Sequence, residues 1–190
     1  GLGDVYKRQP LGVAIHAVRR SALKLGDSVA ILGAGPIGLF CIQAAKAAGA
    51  KLVVVSEPSE VRAKAALELG ADLVVDPNNG VPLDTFLAAT GGSGPNVVFE
   101  CAGAPSTLDQ AMNMVVREGQ VMLVALAWEP TELLPVDWIG REISLETSFS
   151  TTSEDWIIAL ELLRSGKART EPMVSGSSFI QLDDLSLIHI

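Results

Sequence analysis

Ser28-Val29-Ala30-Ile31-Leu32, followed at once by Gly33-Ala34-Gly35-Pro36-Ile37-Gly38 and then by Leu39-Phe40-Cys41-Ile42-Gln43-Ala44-Ala45-Lys46-Ala47-Ala48-Gly49, is the stretch that decides the fold. An aliphatic run ends in a glycine-rich turn, and an Ala-rich segment opens directly behind it. Within that segment Ile37, Phe40, Cys41, Ala44, Ala45 and Ala48 recur at helical spacing and put one apolar stripe against a sheet. Pro36 stands near the helix start, where a missing N–H is harmless, and Gly49 ends the helix as a C-terminal cap does. The reading is therefore strand, tight turn, helix.

The same alternation continues outward. Runs at 51–55, 72–75, 96–101 and 120–126 are rich in Val, Leu and Phe, with helical patterns between them, and Gly70 stops the second helix as Gly49 stops the first. These runs are apolar almost throughout rather than alternating, the pattern of a parallel sheet covered by helices on both faces. A closed eight-fold barrel needs about 250 residues. The expected class is thus α/β with a doubly wound, open parallel sheet. Residues 142–149 read as a sixth strand. Ser153, with Glu154 and Asp155 behind it, reads as the capped start of a helix running to about Arg164 before Gly166.

Composition narrows the function. The chain has 190 residues, with 14 Lys and Arg against 22 Asp and Glu, a formal net charge of −8. That balance argues against nucleic acid, whose phosphates require clustered Lys and Arg. With 48% hydrophobic and 19% charged residues and a mean hydropathy of +0.37, the chain can bury a core. It has no run of about 18 apolar residues to span a bilayer, and its opening residues lack the apolar stretch of a signal peptide. Cys41 and Cys101 both fall in core segments. That suggests free thiols in a reducing compartment, the cytoplasm, rather than a disulfide.

The turn carries chemistry. Gly33 permits the tight bend, Gly35 lets the backbone approach a pyrophosphate with no Cβ in the way, and Gly38 allows close packing of helix on strand. Unpaired N–H groups and the helix dipole then face two phosphates. Nineteen residues past Gly38, at the end of the second strand, Glu57 can accept hydrogen bonds from an adenosine ribose 2′- and 3′-hydroxyl. A 2′-phosphate would meet that carboxylate at like charge, at a cost of several kcal/mol, and Ser56, Pro58 and Ser59 bring no cation. The combination selects NAD over NADP.

With these residues in hand, the chain resembles the zinc-type medium-chain alcohol dehydrogenases, and among them the sorbitol and butanediol dehydrogenase branch. The likeness is carried in order by Pro10-Leu11-Gly12-Val13-Ala14, Gly26-Asp27-Ser28-Val29, residues 33–38, Ser56-Glu57-Pro58-Ser59, Glu68-Leu69-Gly70-Ala71-Asp72, Phe99-Glu100-Cys101-Ala102-Gly103 and Gly119-Gln120-Val121. It spans about residues 10–185, expected to form a Rossmann-fold NAD-binding domain with a leading helix and a partial return segment. The resemblance implies that Ile37 contacts the phosphate-nicotinamide half of the cofactor. Glu57 and Arg62 would hold the adenosine ribose, and Val124, Ala125 and Leu126 the nicotinamide, with Phe149 and Ser150 lining its pocket. Relatives often carry Gly where Ala125 stands.

In that family a zinc ion held by thiolate, imidazole and carboxylate polarises the alcohol. No such ligand set is visible here: Cys41, Cys101, His16 and His189 are scattered, and neither a metal ligand nor a catalytic residue is assigned. The zinc and the proton relay are expected in a β-rich catalytic domain outside this chain. Residues 1–9 and 186–190 fit nothing in the family and read as non-native tails of a truncated gene. The function implied is the NAD(H)-binding part of an enzyme oxidising a secondary alcohol or polyol to a ketone, a homo-oligomer at full length, with this part alone inactive. A zinc-free quinone or enoyl reductase and a non-catalytic NAD-binding module are the alternatives. Trp128, Leu133, Leu134, Trp138 and Ile139 are expected to form an apolar face for a catalytic domain or a strand-edge dimer.

Overall fold

Six parallel strands form one sheet in the order β3-β2-β1-β4-β5-β6. The computed structural model describes residues 2–173, with side chains from Gln9 onward. In chain order the elements are α1 (Leu2–Arg20), β1 (Ser28–Leu32), α2 (Pro36–Ala47), β2 (Leu52–Ser56), α3 (Glu60–Glu68), β3 (Leu73–Val75), α4 (Pro82–Thr90), β4 (Val97–Glu100), α5 (Thr107–Met114), β5 (Gln120–Leu123), α6 (Pro135–Arg141), β6 (Ser144–Thr147) and α7 (Ser153–Arg164). The remainder of the 10–185 stretch past residue 173, and the tail at 186–190, lie outside the described residues. α1 begins at Leu2 and passes through Pro10, so the boundary read at residue 9 falls within one helix.

The doubly wound reading holds, because alternate residues of the central strands feed two separate cores. Val29 and Ile31 of β1 join Val97 and Phe99 of β4 beneath α1, α2 and α7. Ala30, Leu32 and Val98 face the other way, against Phe86 of α4 and Met112 of α5. Each central strand therefore needs apolar residues on both faces. β1 and β2 pair in register from Ser28 opposite Leu52, and β1 and β4 from Val29 opposite Val97.

Two local expectations are corrected, for α2 and for the cap of α7, and β6 is shorter than the 142–149 stretch read for it. α2 is not a one-striped helix: residues 38–45 are all buried, while Ala48 is exposed and Ile37 half-buried. The cause is α1, which packs on the outer side of α2 and leaves it no solvent face. β6 is exposed at all four residues, Ser144, Leu145, Glu146 and Thr147, because it is an edge strand, and two-sided burial applies only to the interior of the sheet. The cap of α7 is Thr152 rather than Ser153. Thr152 and Asp155 make a reciprocal capping box, and the carboxylate three residues after the cap supplies its second arm.

The turn after α2 ends as read. Gly49 has φ +96°, its N–H donates to the Lys46 carbonyl at 3.0 Å, and the next N–H, of Ala50, reaches back to the Ala45 carbonyl at 3.0 Å. This is the double bond pattern by which a left-handed residue closes a helix, and Gly70 repeats it after α3.

Candidate functional site

In an open parallel sheet, ligands bind where the strand order reverses, outside the carboxyl ends of the strands. Here that point lies between β1 and β4, and the glycine turn sits on it. Gly33 has φ +93°, and its N–H donates to the Ser56 carbonyl at 2.8 Å, tying the turn to the end of β2. A Cβ at Gly33 would lie 3.0 Å from the Ala102 backbone, and one at Gly38 would lie 2.0 Å from the Gly33 carbonyl oxygen. The small residue at 38 thus makes room first for the turn's own carbonyl, and only then for the strand side, where Cys101 Cβ is 3.6 Å away. Gly35 differs from both, since a Cβ there would meet nothing within 4 Å and its backbone is extended. It caps α2 with no side-chain acceptor, Pro36 follows, and the first turn of α2 holds no acid. The leading N–H groups of α2 therefore face the turn without a competing carboxylate.

Glu57 closes this unit from β2. Its side chain is only 2% exposed. Oε2 accepts from the Ala34 N–H at 2.7 Å and Oε1 from the Ser59 N–H at 2.8 Å. Two of roughly four acceptor positions on a carboxylate are so occupied, leaving capacity for hydroxyl donors. Ser56, Pro58 and Ser59 bring no cation, but the Arg62 guanidinium, one turn into α3 and more than half exposed, lies 3.7 Å from Oε2. Helical spacing brings it back over Glu57, which a search of immediate neighbours misses.

Gly33, Gly35, Glu57 and Arg62 line one cleft of about 890 Å³, whose far wall is Cys101, Ala102, Ala104 and Thr107. That wall was not among the expected site residues. Its signal in the sequence is the turn after the fourth strand, Cys101-Ala102-Gly103, which belongs to the family likeness. Pro36 lines a second cleft of about 770 Å³ on the other side of the turn, with Phe40 and Met173, and shares Gly35 and Arg62 with the first. Ile37 is half-buried against the core. The residues expected around a nicotinamide are not gathered into either cleft: Val124 is buried, Leu126 is 62% and Phe149 77% exposed, and Ser150 carries φ +64°. Ala125 touches the wall indirectly, since its Cβ lies 3.2 Å from where a Cβ at Gly103 would be. Of the expected apolar face, Trp128, Leu134 and Ile139 are exposed, whereas Trp138 packs against the α4–α5 core.

Cys41 and Cys101 are free thiols with sulfurs 3.9 Å apart. The hydrogen bond to Cys41, then burial, hold the Cys101 thiol well above its ordinary range, so it is no thiolate at neutral pH. His16 Nδ1 donates to the buried Asp155 carboxylate at 2.8 Å, and the partly exposed Arg19 donates to it at 2.6 Å, joining α1 to α7. Burial by itself pushes the Asp155 carboxyl up. The bonds from Thr152, Arg19 and His16 outweigh it and hold the group at about 2. Among the described residues no three His, Cys, Asp or Glu side chains converge to hold a metal ion, and His189 lies outside them. No helix among them is long and apolar enough to cross a membrane.

Residues 36–165 match the family described as zinc-binding dehydrogenase. The chain belongs to this family. It is 36% identical over 169 residues to sorbitol dehydrogenase from Bos taurus, covering 88% of this chain and 47% of that protein. The 2R,3R-butanediol dehydrogenase structure from Bacillus subtilis superposes with a TM-score of 0.84 at 33% identity, over 96% of this chain and 53% of that one. A zinc-binding dehydrogenase structure from Sinorhizobium meliloti 1021, bound to NADP, gives 0.81 at 33% identity, over 88% and 50%. The chain spans about half the length of the relatives it matches.

Proposed function

We propose that this chain is the NAD(H)-binding part of a zinc-dependent medium-chain dehydrogenase that oxidises a secondary alcohol or polyol to a ketone. The observation that carries this reading is the hydrogen bond from the Ala34 N–H to Glu57 Oε2, at 2.7 Å. It joins the strand-end acid to the glycine turn, so that a seat for a diphosphate and an acceptor for a sugar diol form one unit. The α2 N–H groups would donate to the diphosphate, Gly35 would admit it, and Glu57 would accept the ribose hydroxyls with its remaining lone pairs. When bound, the nicotinamide ring supplies the acceptor for a hydride from the carbinol carbon. Among the described residues no side chains converge as a zinc site, and we place the metal and its proton relay in a catalytic domain outside this chain as part of the same proposal. The exposed edge of β6 and the apolar residues near it would meet a second copy or that catalytic domain.

The choice of nucleotide turns on Glu57. A 2′-phosphate would face a buried carboxylate, which favours NAD. Arg62 at 3.7 Å offers a counter-charge, and a relative of similar identity binds NADP, so NADP is the reading to exclude. Calorimetric titration of the chain decides. NADH is expected to bind more tightly than NADPH, Glu57→Ala to lose at least about tenfold in NADH affinity, about 1.4 kcal/mol, and Glu57→Ala with Ser56→Arg to shift preference toward NADPH. Equal affinity for both nucleotides in the unaltered chain, or no shift in the double variant, removes the ribose assignment. A zinc-free reductase or a non-catalytic NAD-binding module shares this cleft. A Cys/His/Glu zinc set elsewhere in the gene favours the dehydrogenase over both.

A further inference from the structure

We infer that Glu100, the last residue of β4, is a positioning residue that sets the span between the glycine turn and the stretch after β5, to which the dinucleotide reading assigns the diphosphate and the nicotinamide. The inference rests on the dinucleotide reading above. Glu100 is 1% exposed, yet it faces the carboxyl end of the sheet, where the cleft opens. Its main-chain carbonyl accepts from both the Val124 and the Ala125 N–H at 3.0 Å. Its side-chain Oε1 accepts from the Ala102 N–H at 2.9 Å, the Gly103 N–H at 2.9 Å and Thr107 Oγ1 at 2.8 Å. One residue thereby joins three segments: the wall of the cleft, the start of α5, and the stretch after β5.

The wall it holds has little slack on either side. Toward the glycine turn, the Ala102 backbone lies 3.0 Å from a Cβ position on Gly33. Toward the stretch after β5, Gly103 leaves 3.2 Å between its own Cβ position and Ala125 Cβ. A shift of Ala102–Gly103 would therefore press on the glycine turn or on the stretch after β5. A charge is an expensive way to secure a loop in a core. Glu100 Oε2 is buried with no hydrogen-bond partner, so half of the carboxylate is not used for stability. The used half makes three bonds at one oxygen, whose reach from the strand fixes where the two N–H groups stand. Reach, rather than charge, is then the property that matters.

Substitutions that separate reach from charge test this, with NADH fluorescence titration of the 190-residue chain as the readout. Glu100→Gln keeps the length and an accepting oxygen, and NADH affinity is expected within threefold of the unaltered chain. Glu100→Asp keeps the charge but withdraws the oxygen by one methylene, with an expected loss of at least fivefold. Glu100→Leu removes all three bonds, with an expected loss above tenfold. Phe86→Leu, in the core on the same face of the sheet, controls for lost stability and is expected to leave affinity unchanged at temperatures where the chain is folded. If Glu100→Leu does not fold, the Asp and Gln pair decides. The inference is overturned if Glu100→Asp binds like the unaltered chain, if Glu100→Gln binds more weakly than Glu100→Asp, or if Phe86→Leu costs as much affinity as Glu100→Asp. If the unaltered chain binds no NADH, the dinucleotide reading falls first and this inference with it.

Discussion

Around the glycine turn, Gly33, Ala34, Glu57 and Ser59 are joined to one another or to Ser56 by hydrogen bonds of 2.7 to 2.8 Å, and Glu57 is buried. Past β5, Leu126, Trp128 and Phe149 stand 62%, 88% and 77% exposed. The first region takes its geometry from backbone groups and the Glu57 carboxylate, 23 residues apart along the chain, which two adjacent strands hold in register. The second offers large apolar side chains that nothing among the described residues covers. On the dinucleotide reading the site is divided: one half is specified by hydrogen bonds to the main chain, and the other by side chains that nothing among the described residues covers.

The comparison is broken most severely at Gly38. A Gly38→Val change puts its first atom 2.0 Å from the Gly33 carbonyl, and a loss of more than about 3 kcal/mol in urea-unfolding stability is expected, with NADH binding lost. A variant of ordinary stability would mean that the turn is as pliable as the region past β5. Next is Asp155, which follows β6 and is the firm anchor of that side of the molecule to α1. Asp155→Ala leaves Arg19 and His16 facing an empty buried position, and a loss of about 3 kcal/mol is expected. Its carboxyl, held at about 2 against an ordinary 3.8, binds its proton less readily folded than unfolded. Its contribution is therefore complete above pH 4 or so and is lost as the pH falls toward about 2. The stability difference between the unaltered chain and Asp155→Ala should shrink across that window, and a constant difference would deny the ion pair its role. The smallest effect is expected at Phe149. Phe149→Ser should change stability by less than about 0.5 kcal/mol, and a larger loss in thermal unfolding would show that this region is more ordered by its own chain than its exposure indicates.

How much of this was legible follows from distance along the chain. The turn, its flanking strand and helix, and Glu57 sit within about thirty residues, where spacing alone carries the geometry. The doubly wound class follows from the alternation of strands and helices with right-handed crossovers, whereas the strand order, in which the chain returns from β3 to pair β4 with β1, is not set by handedness alone. Features that depend on meetings between distant segments were not legible. α2 reads as half-exposed because nothing in its own letters says that α1 will cover its outer face. β6 reads as a strand but not as an edge, because a list of residues does not mark one. Glu100 looks like an acid caught at the end of an apolar run, since its five acceptor contacts reach forward to residues 102, 103, 107, 124 and 125. Arg62 could be named from likeness, but its approach to Glu57 is a matter of helical phase.

Of the three glycines in the turn, two are required by the protein itself and one is not. The chain would close on itself just as well with a methyl group at position 35, because no atom of the fold stands within 4 Å of it. A bare backbone there does nothing for the host; on the dinucleotide reading proposed above, it is the guest that requires it.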